Sequence, residues 1–187
     1  MPDGADPYRP SGLGLVTPAN IVTFGRLCAV PVAVWLVLHA AFMPAFWLFA
    51  AAGASDALDG WLARRMGDSR VGAIMDPAAD KALLVSMYVT LAGMHVLPDW
   101  LAILVVFRDA VIVGGLIVLW LTGHDVPIRP LGISKLNTAL QILLVAASLL
   151  LAGLPLDLGL AMPVLTGLVC LSTLASGAAY VWQAARQ

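Results

Sequence analysis

The chain has 187 residues, 61% of them hydrophobic, and a mean hydropathy of +0.94, which is too apolar for an ordinary soluble domain. A formal net charge of -1 and a pI near 6.2 give no polybasic surface and the aromatics are few and scattered, so no nucleic-acid partner is expected. Cys28 and Cys170 lie far apart inside apolar runs, as packing residues do, and not at disulfide or metal-site spacing.

In chain order, residues 1–19 read as a short N-terminal cytoplasmic tail, rich in Gly, Pro and Asp and unlike a charged signal region. Residues 20–187 read as one membrane domain. Stretches suited to spans of ~20 residues run from Ile21 to Leu38, Ala41 to Ala63, Ala73 to Met94, Trp100 to Leu121, Leu136 to Ala152 and Met162 to Trp182. The connectors carry turn chemistry, as in Gly67-Asp68-Ser69 and Leu97-Pro98-Asp99. The predicted fold class is therefore all-α integral membrane, with six transmembrane helices.

Orientation follows from the basic residues, which are retained on the cytoplasmic side. Arg9, the Arg64, Arg65 and Arg70 cluster, Arg129 with Lys135, and Arg186 all fall in the tails and alternate connectors that six spans place together. Both termini are predicted to be cytoplasmic.

Charge concentrates between Asp56 and Lys81, where Asp56, Asp59, Arg64, Arg65, Asp68, Arg70, Asp76, Asp80 and Lys81 fall. Asp56 and Asp59 end the second span while Asp76 and Asp80 begin the third, so the four carboxylates share one membrane face. An Asp at mid-membrane costs roughly 3 kcal/mol on insertion scales, and even interfacial placement of four calls for counter-charge. Divalent metal ions supply it. At 100° per residue, Asp59 and Gly60 lie about 60° and 40° either side of Asp56, and Asp76 and Asp80 lie about 40° apart. Two carboxylate pairs on neighbouring helices can thus face each other, with Gly60 and Gly72 leaving room for a bulky ligand. Pro77 suits this helix if it lies in the first turn. Salt bridges to Arg64, Arg65, Arg70 and Lys81 are the alternative use of these carboxylates, but anchoring alone does not require four that converge.

These residues resemble the signature of the CDP-alcohol phosphatidyltransferase family, D-x-x-D-G-x-x-A-R, a spacer, then G-x-x-x-D-x-x-x-D. Here the signature reads Asp56, Asp59, Gly60, Ala63 and Arg64, then Gly72, Asp76 and Asp80. The spacer is shorter than is usual in the family, which a turn at Gly67-Asp68-Ser69 accommodates. Asn20, Thr23 and Arg26 are similar to the family's first-span motif, with alanine at its proline position. Arg108-Asp109 and Ser134-Lys135-Leu136-Asn137-Thr138 with Gln141 look like the CMP-forming cardiolipin synthases within the family.

The resemblance implies that Asp56, Asp59, Asp76 and Asp80 hold Mg²⁺ or Mn²⁺, and that Asp80 is also the catalytic base. It implies that Gly60, Ala63, Arg64, Gly72, Asn20 and Thr23 line the site of CDP-diacylglycerol. Arg26, Arg108, Lys135 and Thr138 are then candidates for binding the acceptor or a phosphate. The implied acceptor is phosphatidylglycerol, with glycerol 3-phosphate as the alternative, and a homodimer among membrane lipids is implied as well. An Arg in mid-span is costly, so Arg108 is expected to serve phosphate; a private pair with Asp109 is disfavoured because helical neighbours diverge by about 100°. Gly114, Gly115, Gly167 and Gly177 suggest close helix packing, and His39, His95 and His124 read as span-end polar residues with no partners at metal-ligand spacing. Two other classes fit less well. Membrane prenyltransferases carry their Asp motifs far apart, and an Asp-lined cation transporter predicts carboxylates at mid-membrane and repeated halves.

Overall fold

The computed structural model describes the backbone of residues 18–66, 72–121, 132–154 and 159–184, and the side chains of 24–55, 81–115, 132–154 and 159–182. These residues form α1 (Pro18–Leu38), α2 (Phe42–Met66), α3 (Gly72–Gly93), α4 (Asp99–Leu121), α5 (Gly132–Gly153) and α6 (Ala161–Ala184). Each falls on one of the six apolar stretches, with ends moved by about one turn at most. Lengths of 21 residues for α1 and 25 for α2 correspond to roughly 32–38 Å at 1.5 Å per residue, close to the ~30 Å of a hydrocarbon core. Among the described residues, α5 and the Ala161–Trp182 part of α6 are long and apolar enough to cross a membrane.

The helices close into a ring. α1 packs on α2 and α3, α2 on α5, α5 on α6, α6 on α4, and α4 on α3, with a further contact between α3 and α5 across the middle. The core that fills it is led by Tyr88, Met87, Leu91, Leu101, Leu144 and Leu149, all fully buried. The exterior is apolar too: Phe24, Trp35, Ile103, Phe107, Leu160 and Leu171 stand exposed. α5 shows the arrangement most clearly. Its buried stripe, Asn137, Gln141, Leu144, Val145, Ser148 and Leu149, recurs at helical spacing and holds the polar residues, while Leu136, Ile142 and Leu143 face outward. Polar groups inside and apolar groups outside is the order that a hydrocarbon solvent favours.

Two helices stop by the same device. After α1, Ala41 N donates to Leu36 O at 2.9 Å and Ala40 N to Val37 O at 2.9 Å; after α3, Val96 N donates to Leu91 O at 2.9 Å and His95 N to Ala92 O at 2.8 Å. These are Schellman caps, and the left-handed position is taken by Ala40 (φ 55°) in one and His95 (φ 57°) in the other. His39, at the exposed end of α1, donates from Nδ1 to Trp35 O at 2.8 Å, and its ring lies 4.4 Å from that of Trp35. α4 starts on Pro98, whose carbonyl accepts from Leu101 N at 3.0 Å, with Asp99 in the first turn where the helix dipole favours an acid.

Three sequence expectations need correction. Because α3 begins at Gly72, Pro77 lies beyond the first turn. Cys28 is exposed on the outer surface and is not a packing residue. A Cβ at Gly114, Gly115 or Gly167 would meet nothing within 4 Å inside the chain, so these glycines do not serve close packing there. The close approach is at Gly153 instead, where a Cβ would come within 2.7 Å of Met43 Cγ and 3.1 Å of Met43 N. Gly67-Asp68-Ser69 and His124 lie outside the described residues.

An L-residue in the left-handed region costs about 1–2 kcal/mol, partly offset by the chain entropy that glycine loses on folding. Ala40→Gly is therefore expected to stabilise the fold by roughly 0.5–1 kcal/mol and to raise the thermal unfolding midpoint of the detergent-solubilised protein; a lowered midpoint would contradict the cap.

Candidate active site

The aspartate pairs lie on consecutive helices, on either side of a short connector. Asp56 and Asp59 fall in the last turns of α2, and Asp76 and Asp80 in the first turns of α3. A connector of residues 67–71 cannot hold Met66 and Gly72 more than ~20 Å apart, so both pairs belong to one end of the ring. The side chains of Asn20, Thr23, Asp56, Asp59, Gly60, Ala63, Arg64, Gly72, Asp76 and Asp80 lie outside the described ones, whereas the helices that carry them are described. The donor set is chemically suited to Mg²⁺ or Mn²⁺, which take hard oxygen ligands and share them with substrate phosphates. Among the described side chains no three potential metal ligands meet.

Next to this end lies a polar centre that joins four helices. Arg108 on α4 donates from one terminal guanidinium nitrogen to Asp109 Oδ1 at 2.7 Å. The other donates to Ser134 Oγ of α5 at 2.8 Å and to Ser176 Oγ of α6. The guanidinium also lies over the Tyr180 ring of α6, 5.8 Å from its centre. Asp109 Oδ2 is 2.6 Å from Lys81 Nζ of α3. The Arg108 and Asp109 side chains are only 5% and 8% exposed. A buried ion pair survives when hydrogen bonds engage its remaining polar atoms; Ser134 and Ser176 do so for Arg108, while Asp109 Oδ2 is compensated by the charge of Lys81 and not by a hydrogen bond, and Arg108 Nε is likewise without a hydrogen-bond partner.

The expectation that Arg108 and Asp109 point apart is thus overturned. Their Cα–Cβ bonds do diverge on the helix, but the long Arg side chain bends back to bring its planar fork to the carboxylate. Of the other acceptor candidates, Thr138 joins this centre indirectly, its hydroxyl donating to the Ser134 carbonyl at 3.1 Å. Lys135 is exposed. Arg26 is buried on α1, which packs on α2 and α3, so it belongs with the aspartate helices and not with the α4, α5 and α6 centre.

A second polar seam runs along α5 and α6. Asn137 Oδ1 accepts from Ser172 at 2.8 Å and from Thr173 at 2.9 Å, and Gln141 Nε2 donates to Thr173 Oγ1 at 3.4 Å. The Ser172 hydroxyl has a second acceptor in reach, Val169 O at 3.1 Å. Tyr88 ties α3 to the seam through a hydrogen bond to the Gln141 carbonyl at 3.2 Å. Sequence reasoning missed the α6 half of both networks. The signal was present in Ser172, Thr173 and Ser176, hydroxyls repeating on one face of an apolar helix.

With this arrangement established, the comparisons with known proteins are informative. The family model of the CDP-alcohol phosphatidyltransferases matches residues 16–182, and the chain belongs to that family. It is 38% identical over 149 residues to the chloroplastic CDP-diacylglycerol--glycerol-3-phosphate 3-phosphatidyltransferase 1 of Oryza sativa subsp. japonica, covering 70% of this chain and 45% of the rice protein. It is 32% identical over 147 residues to the cardiolipin synthase (CMP-forming) of Homo sapiens, covering 70% of this chain and 49% of the human protein. To the enzyme of the same name from Streptomyces coelicolor it is 37% identical over 105 residues, covering 52% of this chain and 49% of that protein. The chain spans about half the length of these curated relatives.

Removing one member of a buried pair strands the other, at a cost of about 3–5 kcal/mol. Arg108→Met is accordingly expected to lower the unfolding midpoint sharply, and Arg108→Lys to recover only part of the loss, since an ammonium cannot span Asp109, Ser134 and Ser176 as the fork does. A midpoint for Arg108→Met equal to that of the unaltered protein would rule out the bracing role.

Proposed function

We propose that the chain is a membrane-embedded transferase that moves the phosphatidyl group of CDP-diacylglycerol onto phosphatidylglycerol, yielding cardiolipin and CMP. The observation that carries this is the family match together with the signature carried by the last turns of α2 and the first turns of α3, which a short connector keeps at one end of the ring. The apolar exterior and polar interior support insertion in a bilayer. In this reading all six helices span the membrane, both termini and the aspartates face the cytoplasm of a bacterial cell, and the protein works as a homodimer.

Asp56, Asp59, Asp76 and Asp80 hold the divalent ions, which when bound supply charge neutralisation on the diphosphate and on the departing CMP. Asn20, Thr23, Gly60, Ala63, Arg64 and Gly72 form the donor side, the small residues allowing the nucleotide to approach the backbone. Asp80 accepts the proton of the acceptor hydroxyl. The oxygen then bonds to the phosphorus of the phosphatidyl group, the anhydride bond to the cytidine monophosphate breaks, and CMP leaves with the electron pair. Arg26 and Lys135 are taken as phosphate-side cations, with Arg108 and Thr138 shaping the acceptor side through Ser134.

A second acceptor is favoured by a specific observation: the rice relative is named for transfer to glycerol 3-phosphate. Purified protein given CDP-diacylglycerol, Mg²⁺ or Mn²⁺ and each acceptor in turn decides between them. CMP and cardiolipin are expected with phosphatidylglycerol, and EDTA is expected to stop both. Turnover with glycerol 3-phosphate alone selects the second acceptor, and no CMP with either refutes the reading.

Roles within the site separate by variant. Asp80→Asn is expected to reduce kcat by at least about 100-fold, the scale of losing a general base, with donor binding retained. Asp56→Asn and Asp59→Asn are expected to weaken metal and donor binding together. Full activity in all three would refute the assignment.

A further inference from the structure

The polar centre contains a cation that the roles above do not use. Lys81 follows Asp80 on α3, and its ammonium is held 2.6 Å from Asp109 Oδ2 while the side chain remains 42% exposed. Asp109 is in turn fixed by Arg108, whose terminal nitrogens are occupied by Asp109, Ser134 and Ser176. Among the described residues the cluster thus holds two cations against one carboxylate. The buried cation, Arg108, is spent on protein partners. The half-exposed one is not: an ammonium has three N–H donors, and one carboxylate oxygen can engage at most one of them.

An ammonium with donors to spare at the edge of a low-dielectric interior favours an anion beside it. A lysine on four rotatable carbons loses considerable side-chain entropy when it binds a ligand, and a carboxylate that holds it beforehand removes part of that cost. We propose that Lys81 is the phosphate ligand of a lipid substrate, and that Asp109, locked by Arg108, is its positioning residue. The ligand chemistry is a phosphate oxygen, from either the diphosphate of the donor or the phosphate of the acceptor. Phosphate recognition, expected of Arg108 from sequence, thereby passes to Lys81, and Arg108 becomes the brace. The proposal rests on reading the chain as a phosphatidyltransferase.

The test uses the full chain in mixed micelles, with KM measured separately for CDP-diacylglycerol and for the acceptor. Lys81→Met is expected to raise one KM about tenfold or more, the scale of losing a charged hydrogen bond, with kcat within about threefold. Lys81→Arg restores that KM, and Asp109→Asn raises the same KM by a smaller factor. A rise for the donor assigns the diphosphate; a rise for the acceptor assigns the acceptor phosphate. Both KM values unchanged, or a loss confined to kcat, overturns the proposal while the transferase reading stands. An unaltered protein that releases no CMP overturns both.

A measurement on the unaltered protein covers variants that fail to fold. Lys81 and Lys135 are the chain's two lysines, so acylation by an amine reagent can be followed at each by mass spectrometry, with the N-terminal amine as reference. A saturating lipid substrate is expected to slow acylation of Lys81 at least about fivefold relative to the reference, given that a bound phosphate occupies the amine. Acylation of Lys81 at the same rate with and without either substrate overturns the assignment.

Discussion

The guanidinium of Arg108 is the point through which the ring of helices is tied. It lies on α4, reaches α5 through Ser134 and α6 through Ser176, and by way of Asp109 and Lys81 reaches α3. In a hydrocarbon environment apolar side chains gain nothing by leaving lipid for protein, so helix association depends on packing and on polar contacts between helices. A buried fork with several fixed partners is well suited to that task, because its geometry is satisfied in one helix arrangement and not in others. The α5 and α6 seam extends the same logic, with Asn137 and Gln141 meeting Ser172 and Thr173 where a soluble protein would place leucines.

The division of labour between the two halves of the bundle follows from where the charge lies. α1, α2 and α3 carry the signature carboxylates together with Arg26, whereas α4, α5 and α6 carry a pre-paired polar network. Lys81 is the link, being attached to α3 one residue after Asp80 and held from α4.

Much of the architecture was legible in the residues. Six apolar runs separated by Gly, Pro and Asp located six helices, because a span that must satisfy its own backbone leaves little alternative to a helix. The aspartates were legible from spacing and from the resemblance of the whole Asp56 to Asp80 segment to a known signature. What periodicity did not disclose was how long side chains bend. A helical wheel separates residues 108 and 109 and is silent on Lys81 reaching a neighbouring helix, since it fixes the direction of Cβ and not the end of a flexible stem. The glycines misled for a related reason: Gly114 and Gly153 look alike in sequence, and only Gly153 has a neighbouring backbone against it.

That contact at Gly153 has a mechanical side. The start of α2 is held within van der Waals range of the end of α5 at Met43, whereas Asp59 lies sixteen residues further along α2. The helix is then a lever of about 24 Å pivoting on its far end, and a tilt of only about 5° carries the carboxylates sideways by about 2 Å. With the far rim closed by that contact, any tilt of α2 is felt most at the end that carries Asp56 and Asp59.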